Sequence, residues 1–317
     1  MAGETSDVRV GIVSFNTADL LDRCLAALPD ALGHLRAEIV VVDNDSDDDS
    51  VSVAERYAGV DVRRNPSNVG YAVAMNDALA GTDAPVLIAL NPDTEPPAVS
   101  LQRLVERLHA CSRTALVVPR LLNPDGSLQP SVHRFPSIAL AATANLVPAR
   151  LLRGTLGRHF WIEGTADHRA SQPIDWAFGA VHVLRAAATG PRPYSERWFM
   201  YVEDLDLCWR LQRDGWTVEL AGDIAVPHVG NAAGRQHWGS GREARVWAAT
   251  YDWYASAMGS TRARLYAALN VIGATGKGLA RRARGRVRHD PWASDDGRQL
   301  QASAAAHVRG MTRPRVD

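Results

Sequence analysis

Cysteine is scarce in this chain, with three residues in 317: Cys24, Cys111 and Cys208. Their odd number and wide separation exclude a disulfide framework, and none lies at a metal-ligand spacing, so we expect a reducing, cytoplasmic compartment. Long apolar runs are also missing, since no stretch approaches the roughly 18 apolar residues of a membrane-spanning helix. Residues 1–7 are polar and lack the charged-then-apolar plan of a signal peptide, so we expect no secretion signal.

Neither sign of charge is in excess, because 35 basic and 35 acidic residues give a formal net charge of zero. Nothing global therefore favours nucleic acid as a partner. The charges are unevenly distributed: residues 43–49 contain five aspartates, and residues 277–288 contain six basic residues and no acid. With 46% hydrophobic and 22% charged residues, the composition is that of a globular protein with a substantial core.

Strand and helix signals alternate in the first half of the chain, which favours an α/β fold with a parallel sheet between helices. Apolar runs there predict most of the strands, with helices between them. The predicted strands are 8–14, 39–42, 61–64 (an edge strand) and 85–90, with helices starting near 16, 51 and 70. The second half is less regular, and its predicted elements are a loop at 131–136, a helix at 138–152, a strand at 174–184 and a helix at 203–213.

Polar residues occupy four connections after the predicted strands, at 14–16, 43–44, 68–70 and 91–93. In an open α/β sheet, ligands bind at the carboxyl ends of the strands. A single polar strand end is usually only a turn, but four in register predict a cleft. None carries a glycine-rich dinucleotide fingerprint, and GATGKG at 273–278 lacks the spacing of a phosphate loop, so bound phosphates would need another counter-charge.

Asp93 is the candidate for that counter-charge. A carboxylate at a strand end can hold a divalent cation, which in turn neutralises a diphosphate. The alternative is a helix cap before Pro96-Pro97, and the local sequence supports both interpretations. His228 follows the apolar run 224–226 and also lies at a predicted strand end, where it is either a structural histidine or a ligand.

Three acids within residues 203–206 open the helix predicted at 203–213. Acids at the start of a helix stabilise it by complementing its dipole, which would explain these acids without any functional role. However, Leu207 and Leu211 lie four residues apart on one face, and Asp204, three residues before Leu207, turns inward with them. An inward carboxylate beside a cleft can act as a general base on an attacking hydroxyl.

These motifs resemble those of inverting family 2 glycosyltransferases with the GT-A fold, and among them the rhamnosyltransferases that build bacterial cell-wall linkers and O-antigens. The resemblance covers about residues 8–260, and its most specific segment is SERWFMYVEDLDLCWRLQRDGW (195–216). The other segments are VGIVSFN (10–16), VVDNDS (41–46), NPSNVGYAVAMN (65–76), LNPDTEP (90–96), NPDGSLQPSVHRFPS (123–137) and DWAFGAVHVLR (175–185). The implied fold is a Rossmann-like mixed sheet flanked by helices, with a C-terminal helical extension.

By position, the resemblance implies a site for a nucleotide-sugar donor, with dTDP-L-rhamnose as the expected donor. The implied donor-binding residues are Ser14, Phe15, Asn16, Asp43, Asn44, Gly70, Asn76 and Asn91. Among them, Gly70 would let the backbone approach the donor. Asp93 and His228 would hold a divalent cation, Mg²⁺ or Mn²⁺, as the cofactor.

The resemblance also implies the catalytic and acceptor residues. Asp204 would be the general base of a single in-line displacement with inversion, and Glu203 would lie beside it at the acceptor. Trp176, Gly179 and Arg235 would form the acceptor site. The acceptor itself stays open between a glycan, a lipid-linked molecule and a small natural-product aglycone, and the oligomeric state is not predicted.

We divide the chain into a nucleotide-sugar-binding half at 8–120, an acceptor-binding and catalytic half at 121–260, and a basic helical extension with a tail at 261–317. Related rhamnosyltransferases use lipid-diphosphate acceptors, so the basic extension is a candidate for peripheral contact with the inner face of the cell membrane. The alternative is a solvated helix that packs on the domain.

Three departures from the family's pattern bear on acceptor identity and metal affinity. Residues 190–195 replace the usual glycine-glycine-aromatic-aspartate stretch, Ala232 replaces a frequent serine, and Pro227 replaces a frequent second histidine. Two rival functions are a nucleotidyltransferase, which needs a basic glycine-rich loop where this chain has residues 14–17, and a catalytically silent sugar-nucleotide-binding protein.

Overall fold

The structure is a computed structural model that describes residues 6–152, 155–161, 166–230, 242–288 and 303–308. The chain divides into two compact units. The first comprises Met1–Arg134 and Asp167–Gln236, and the second comprises Phe135–Ala166 and His237–Asp317. The division into nucleotide and acceptor halves near residue 120 stays a prediction.

The described part of the first unit contains eleven strands. They are β1 (Val8–Ser14), β2 (Ala37–Asp43), β3 (Val60–Arg64), β4 (Val86–Leu90), β5 (Thr114–Leu122), β6 (Leu128–Gln129), β7 (Val132–His133), β8 (Gln172–Pro173), β9 (Trp176–Ala177), β10 (Val181–Arg185) and β11 (Thr217–Pro227). Nine of them form one sheet in the order β3-β2-β1-β4-β10-β5-β11-β8, with β6 added to β5. Strands β1 to β4 pair in parallel, and β10 is antiparallel to both β4 and β5. The sheet is therefore mixed, as the GT-A resemblance implies.

Helices connect these strands and form most of the second unit. The helices of the first unit are α1 (Ala18–Leu32), α2 (Ser50–Glu55), α3 (Tyr71–Leu79), α4 (Ser100–Ala110), α8 (Ala186–Thr189) and α9 (Glu203–Arg213). Those of the second unit are α5 (Ile138–Leu146), α6 (Ala149–Leu152), α7 (Thr155–Phe160), α10 (Arg242–Met258) and α11 (Ser260–Arg288), followed by a short helix at 303–308.

The two central strands β1 and β4 are buried along their whole length. The apolar sequence of β4, and of β1 apart from Arg9 and Ser14, is typical of strands that are covered on both faces. Gly11 on β1 permits this close packing, since a Cβ there would lie 2.9 Å from the side chains of Ala78 and Leu79 on α3. Strands β1 to β4 confirm the strands predicted in the first half of the chain. They include the predicted edge strand at 61–64, because β3 lies at the edge of the sheet.

Three predicted elements in the second half of the sequence differ from the structure. The strand predicted at 174–184 is divided into β9 and β10, because β9 leaves the main sheet to pair with β7. That pairing also gives strand structure to part of the loop predicted at 131–136. The helix predicted at 138–152 is interrupted at Pro148, where the preceding Val147 is extended with φ −85° and ψ 133°, as proline requires of its neighbour.

The second unit contains aromatic packing between two helices. The rings of Tyr254 on α10 and Tyr266 on α11 stack with centroids 4.8 Å apart, and Trp253 is 1% exposed. Asn145 on α5 donates a hydrogen bond from Nδ2 to Oδ1 of Asn270 over 2.8 Å. Among the described segments, no helix has the length and apolar character needed to cross a bilayer.

Candidate active site at the carboxyl edge of the sheet

The ends of β1 and β2 lie side by side, because Ser14 pairs in register with Asp43. The amide of Asn44 donates to the carbonyl of Ser14 over 2.8 Å. The side chains of all three residues are buried. The structure thus brings two of the four predicted polar strand ends together at the carboxyl edge of the sheet, where ligands bind in open α/β folds.

A compact turn follows each of these two strands. Asn16 adopts a left-handed backbone with φ 53°, and its Oδ1 accepts from the amide of Asp47 over 2.8 Å. Asp43 Oδ2 accepts from the amide of Ser46 over 3.1 Å, whereas its buried Oδ1 has no hydrogen-bond partner within the described residues. Asp43 Oδ1 is therefore an acceptor that a bound ligand can satisfy. Phe15, between Ser14 and Asn16, is half-buried.

The Asn44 side chain organises the third polar connection rather than facing an open space. Its Nδ2 donates to Oδ1 of Asn68 over 2.8 Å, and its Oδ1 accepts from Nδ2 of Asn65 and from the amide of Val69. These bonds use most of the hydrogen-bond donors and acceptors of the Asn44 side-chain amide. Asn44 therefore holds the loop at 65–70 against the end of β2.

Gly70 has φ 86°, which favours glycine. A Cβ at this position would also collide with the backbone carbonyl oxygen of Phe199, which accepts from the amide of Tyr71 over 2.9 Å. The structure therefore gives a reason for glycine that the sequence did not suggest, namely the close approach of the segment around residue 199.

Asn76 is fully buried and has protein partners on both sides of its amide group. Its Nδ2 donates to the carbonyl of Tyr194 over 2.8 Å and to Oε1 of Glu196, and its Oδ1 accepts from the amide of Tyr194. In this arrangement Asn76 fixes the segment 194–196. It lies inside the protein rather than at the surface of the cleft.

The fourth polar strand end places Asp93 against His228. Asn91 begins the connection after β4, and its amide donates to the carbonyl of Ala180 over 2.9 Å. Asp93 is 7% exposed, and its Oδ1 lies 3.2 Å from Nε2 of His228. Its Oδ2 accepts from the amide of Gly230 over 3.0 Å. Burial alone would raise the pKa of Asp93, but the His228 contact and the amide bonds together lower it below its usual value.

A residue that the sequence analysis did not single out completes this corner. Gln129 on β6 places its Oε1 2.6 Å from Nδ1 of His228. It belongs to the segment NPDGSLQPSVHRFPS (123–137), in which nothing in the pattern marks the side chain that faces β11. The pairing of β6 with β5, Gln129 opposite Leu121, brings it there.

The acidic pair at the start of α9 follows an unusual turn. Tyr201 and Val202 are consecutive non-glycine residues with φ 71° and 63°, a conformation that costs free energy and is found mainly at functional sites. Asp204 accepts hydrogen bonds at Oδ1 from its neighbour's amide and at Oδ2 from the amide of Gly179, over 2.7 Å and 3.2 Å. Glu203 is buried, and its Oε2 has no hydrogen-bond partner within the described residues.

These environments separate the pKa values of the two carboxyl groups. Burial, and then the charge of Asp204, raises the pKa of Glu203 to about 8. Burial also raises the pKa of Asp204, but the two amide hydrogen bonds limit that increase to about 6. Near neutral pH, Asp204 is therefore the ionised member of the pair and Glu203 the protonated one.

Buried aromatic and imidazole groups surround the pair. Tyr71 donates from its hydroxyl to the carbonyl of Gly179 over 3.4 Å, and its ring lies edge-on to Tyr194 at 5.8 Å. Burial first, and then the charges of three acids, raises the pKa of Tyr71. Those acids are Glu203, Asp204 and Asp93, so the acidic pair and Asp93 act on one and the same phenol. His182 contacts the Tyr194 hydroxyl at 3.0 Å, and burial lowers its pKa to about 4.

An aromatic shelf adjoins Gly179, formed by His133, Trp176 and Phe178. Their ring centroids lie 4.7 Å to 5.6 Å apart. Trp176 is fixed by a 3.0 Å hydrogen bond from Nε1 to the carbonyl of Arg134, whereas Phe178 is 42% exposed. Gly179 leaves room beside Asp204, since a Cβ there would lie 3.7 Å from the Cβ of Asp204. Arg235, assigned to the acceptor from the sequence, lies outside the described residues.

Comparisons with known proteins agree with this architecture. Residues 9–162 match the model of glycosyl transferase family 2. An N-acetylglucosaminyl-diphospho-decaprenol L-rhamnosyltransferase from Mycobacterium tuberculosis is 27% identical over 253 residues, covering 73% of this chain and 79% of the relative.

Two solved structures share the fold. Mannosyltransferase PcManGT from Pyrobaculum calidifontis, in complex with GDP-Man and Mn²⁺, has a TM-score of 0.58 at 15% identity, covering 98% of this chain and 87% of that one. GalNAc-T7 with UDP, GalNAc and Mn²⁺ has a TM-score of 0.52 at 17% identity, covering 71% and 44%.

The mixed sheet flanked by helices therefore defines a GT-A fold, as predicted. Residues 9–162 match the family 2 model, and the chain is a glycosyltransferase.

Proposed function

We propose that the enzyme transfers L-rhamnose from dTDP-L-rhamnose to an acceptor hydroxyl with inversion, using Asp204 as the general base. The observation that carries this proposal is the pair of adjacent carboxyl groups at the start of α9, of which Glu203 is buried and Asp204 is held by the amides of Gly179 and Leu205. The rhamnosyltransferase from M. tuberculosis supports the choice of sugar. The sequence resemblance supports the choice of nucleotide.

In the proposed reaction, Asp204 accepts the proton of the acceptor hydroxyl while that oxygen attacks the anomeric carbon. The bond from that carbon to the diphosphate breaks in the same step. A base with a pKa near 6 is mostly deprotonated at pH 7 and still basic enough to assist. The amides of Gly179 and Leu205 hold the carboxylate in place, so little reorganisation precedes proton transfer.

Asp93 and His228 fit a divalent cation. Asp93 offers Oδ1, because its Oδ2 accepts from the amide of Gly230, and His228 offers Nε2, which is buried 3.2 Å from that Oδ1. A carboxylate oxygen suits Mg²⁺ or Mn²⁺, and an imidazole nitrogen suits transition metals, so Mn²⁺ is the ion that we propose. The described segments contain no group of three potential protein ligands, which leaves coordination positions for the diphosphate. When bound, the cation would neutralise the charge of the leaving diphosphate.

The end of β2 supplies the proposed nucleoside contact. Asp43 Oδ1 is a buried acceptor without a partner in the described structure, and a ribosyl hydroxyl or a base N–H would satisfy it. Asn16, Ser14 and Asn44 hold the two turns around this atom. Asn91, at the end of β4, is half-buried and extends the same edge toward Asp93.

The aromatic shelf supplies the proposed acceptor contact. Exposed Phe178 immediately precedes Gly179, whose amide holds the base, so a sugar ring on the shelf would bring a hydroxyl close to Asp204. Apolar faces of sugar rings pack well on aromatic rings, as other apolar surfaces do. This favours a saccharide acceptor, either free or lipid-linked.

Helix α11 supports a lipid-linked acceptor and peripheral membrane contact. Leu265, Ile272 and Leu279 are 48%, 58% and 56% exposed, and their seven-residue spacing places them along one face. Residues 260–288 contain eight basic residues and no acid. An exposed apolar stripe on a basic helix is typical of helices that lie on anionic bilayers, where each basic residue contributes about 1 kcal/mol.

Two experiments test the proposed function. Radiolabelled transfer assays with a panel of nucleotide sugars and lipid-linked or free saccharides test the donor and acceptor. Efficient transfer from another sugar nucleotide, with none from dTDP-L-rhamnose, would refute the donor assignment. Sedimentation with anionic vesicles tests whether the exposed apolar stripe of α11 binds membranes. The triple variant Leu265→Ser/Ile272→Ser/Leu279→Ser should not bind the vesicles, whereas the control Val99→Ser, at an exposed site on the first unit, should bind like the wild type.

A further inference from the structure

Gln129 belongs to a chain of side-chain amides that begins at a backbone carbonyl. Asn123 Nδ2 donates to the carbonyl of Leu128 over 3.4 Å and to Oγ of Ser127 over 2.9 Å. Gln129 Nε2 donates to Oδ1 of Asn123 over 3.2 Å and to the carbonyl of His228 over 3.5 Å. Gln129 Oε1 then faces Nδ1 of His228 at 2.6 Å.

The two carbonyl groups fix the direction of every hydrogen bond in this chain. A carbonyl oxygen only accepts, so Asn123 must present its NH₂ to Leu128 and its Oδ1 to Gln129. Gln129 must likewise present its NH₂ to Asn123 and to the His228 carbonyl. Its remaining atom, Oε1, only accepts, so the hydrogen between Gln129 and His228 belongs to Nδ1 of the imidazole.

A neutral imidazole that carries its hydrogen on Nδ1 has a lone pair on Nε2. That lone pair faces Asp93 Oδ1 at 3.2 Å. In the metal-free protein a second proton on Nε2 would bridge the two atoms as an ion pair, and a bound cation would take the place of that proton. The network thus presets His228 as a ligand through Nε2.

We infer that Gln129 is a positioning residue that fixes the Nδ1–H tautomer of His228 and thereby directs Nε2 toward the cation shared with Asp93. The inference rests on the proposed function, in which Asp93 and His228 hold a divalent cation. It adds a residue that is distant in sequence from both ligands, 99 positions from His228. Groups that accept a hydrogen bond from the other ring N–H orient such ligands, and their loss weakens metal affinity about 10–100-fold.

Two substitutions separate positioning from mere packing. Gln129→Glu keeps an acceptor at the same distance from His228, whereas Gln129→Met keeps the length and volume of the side chain but removes the acceptor. Both variants should unfold within a few degrees of the wild-type protein, which excludes misfolding as a cause. A purely structural role for Gln129 predicts equal effects of the two substitutions.

The first readout needs no metal. Long-range ¹H–¹⁵N spectra of histidine-labelled, metal-free protein above pH 8 should show Nδ1–H for His228 in the wild type and in Gln129→Glu. Gln129→Met should show a mixture of the two tautomers. An Nε2–H tautomer in the wild type, or an unchanged tautomer in Gln129→Met, overturns the inference.

The second readout is Mn²⁺ affinity, measured by electron paramagnetic resonance in the presence of dTDP. We expect binding to be about 10–100-fold weaker in Gln129→Met, with Gln129→Glu close to the wild type or tighter. Equal affinity in all three proteins overturns the inference and leaves the proposed cation standing. Absence of Mn²⁺ binding in the wild type overturns the proposed cation and, with it, the purpose assigned to Gln129.

Discussion

The amide of Gly179 donates a hydrogen bond to Oδ2 of Asp204 over 3.2 Å. This bond joins the segment between β9 and β10 to the start of α9, so the proposed base is held by the same residue that follows exposed Phe178. An amide hydrogen bond favours the ionised carboxylate. The proposed acceptor contact and the ionisation state of the base are therefore linked through one peptide group.

Substitution of Asp204 by asparagine tests the base directly. We expect kcat to fall by about 10²–10⁴-fold, while the dissociation constant for the donor, measured by calorimetry, stays within about twofold of the wild type. Asp206→Asn on the same helix is the matched control, because Asp206 pairs with Arg210 instead of facing Gly179. Near-normal turnover in Asp204→Asn would refute the base assignment.

The pH dependence of kcat/KM should report both acids. It should rise as the pH increases through about 6, because Asp204 must lose its proton to act as a base. It should fall above about pH 8, where ionisation of Glu203 places a second negative charge beside the base. Glu203→Gln should keep the rising limb and lose the falling one. A falling limb that persists in this variant would assign it to another group.

The same raised pKa values make the folded protein less stable as the pH increases. Between about pH 4.5 and pH 8 the folded state holds protons on Glu203 and Asp204 that the unfolded state releases, so the free energy of unfolding decreases across this window. Glu203→Gln should therefore raise stability at pH 9, by about 1.4 kcal/mol for each unit by which the pKa of Glu203 is raised, and leave it unchanged at pH 4. Urea denaturation at both values checks this, with Glu55→Gln, at an exposed position, as control. Equal effects at the two pH values would argue against a buried, protonated Glu203.

Removal of the cation should abolish sugar transfer if Asp93 binds the cation. We expect chelation to abolish activity, and Mn²⁺ to restore it to the wild type but not to Asp93→Ala. Mn²⁺ affinity in the presence of dTDP should fall by more than about 100-fold in Asp93→Ala, beyond the loss expected for a partner that only orients a ligand. Asp125→Ala, in the exposed turn after β5, is the control. Full activity after exhaustive chelation would exclude the cation from the mechanism.

Truncation of Phe178 should affect the acceptor and spare the donor. We expect Phe178→Ala to raise KM for a saccharide acceptor by about 2–10-fold, the loss of about 0.5–1.5 kcal/mol that aromatic contacts contribute. The donor KM should not change. Leu128→Ala, at a similarly exposed position, should alter neither constant. A change in the donor KM alone would indicate that the aromatic shelf contacts the donor and not the acceptor.

Local sequence determined some elements well and others poorly. The helix predicted at 203–213 matches α9 to the residue, because acids at its start and Gly215 after its end mark both boundaries. The strands of the first half were equally clear, since burial on both faces gives continuous apolar runs. The division between β9 and β10 was not predicted, because β9 pairs with a strand that lies more than 40 residues earlier in the sequence.

The site shows the same limit. Asp93, His228, Glu203 and Asp204 could be proposed from their positions next to apolar runs. The roles of Asn44 and Asn76 as organisers of neighbouring loops could not, because their partners are distant in sequence. Gln129 carries no local signal at all, and it reaches His228 only because β5 carries both β6 and β11 as neighbours.

The position of β10 has a consequence for the newly made chain. Strand β10 lies between β4 and β5 in the sheet, although it follows β5 by some sixty residues in sequence. While the protein emerges from the ribosome, the fully apolar edge of β4 stays unpaired until Val181–Arg185 has been released. Exposed strand edges of this kind attract other chains. Truncations that end before residue 181 should therefore aggregate, even though they contain the whole of the matched family segment at 9–162.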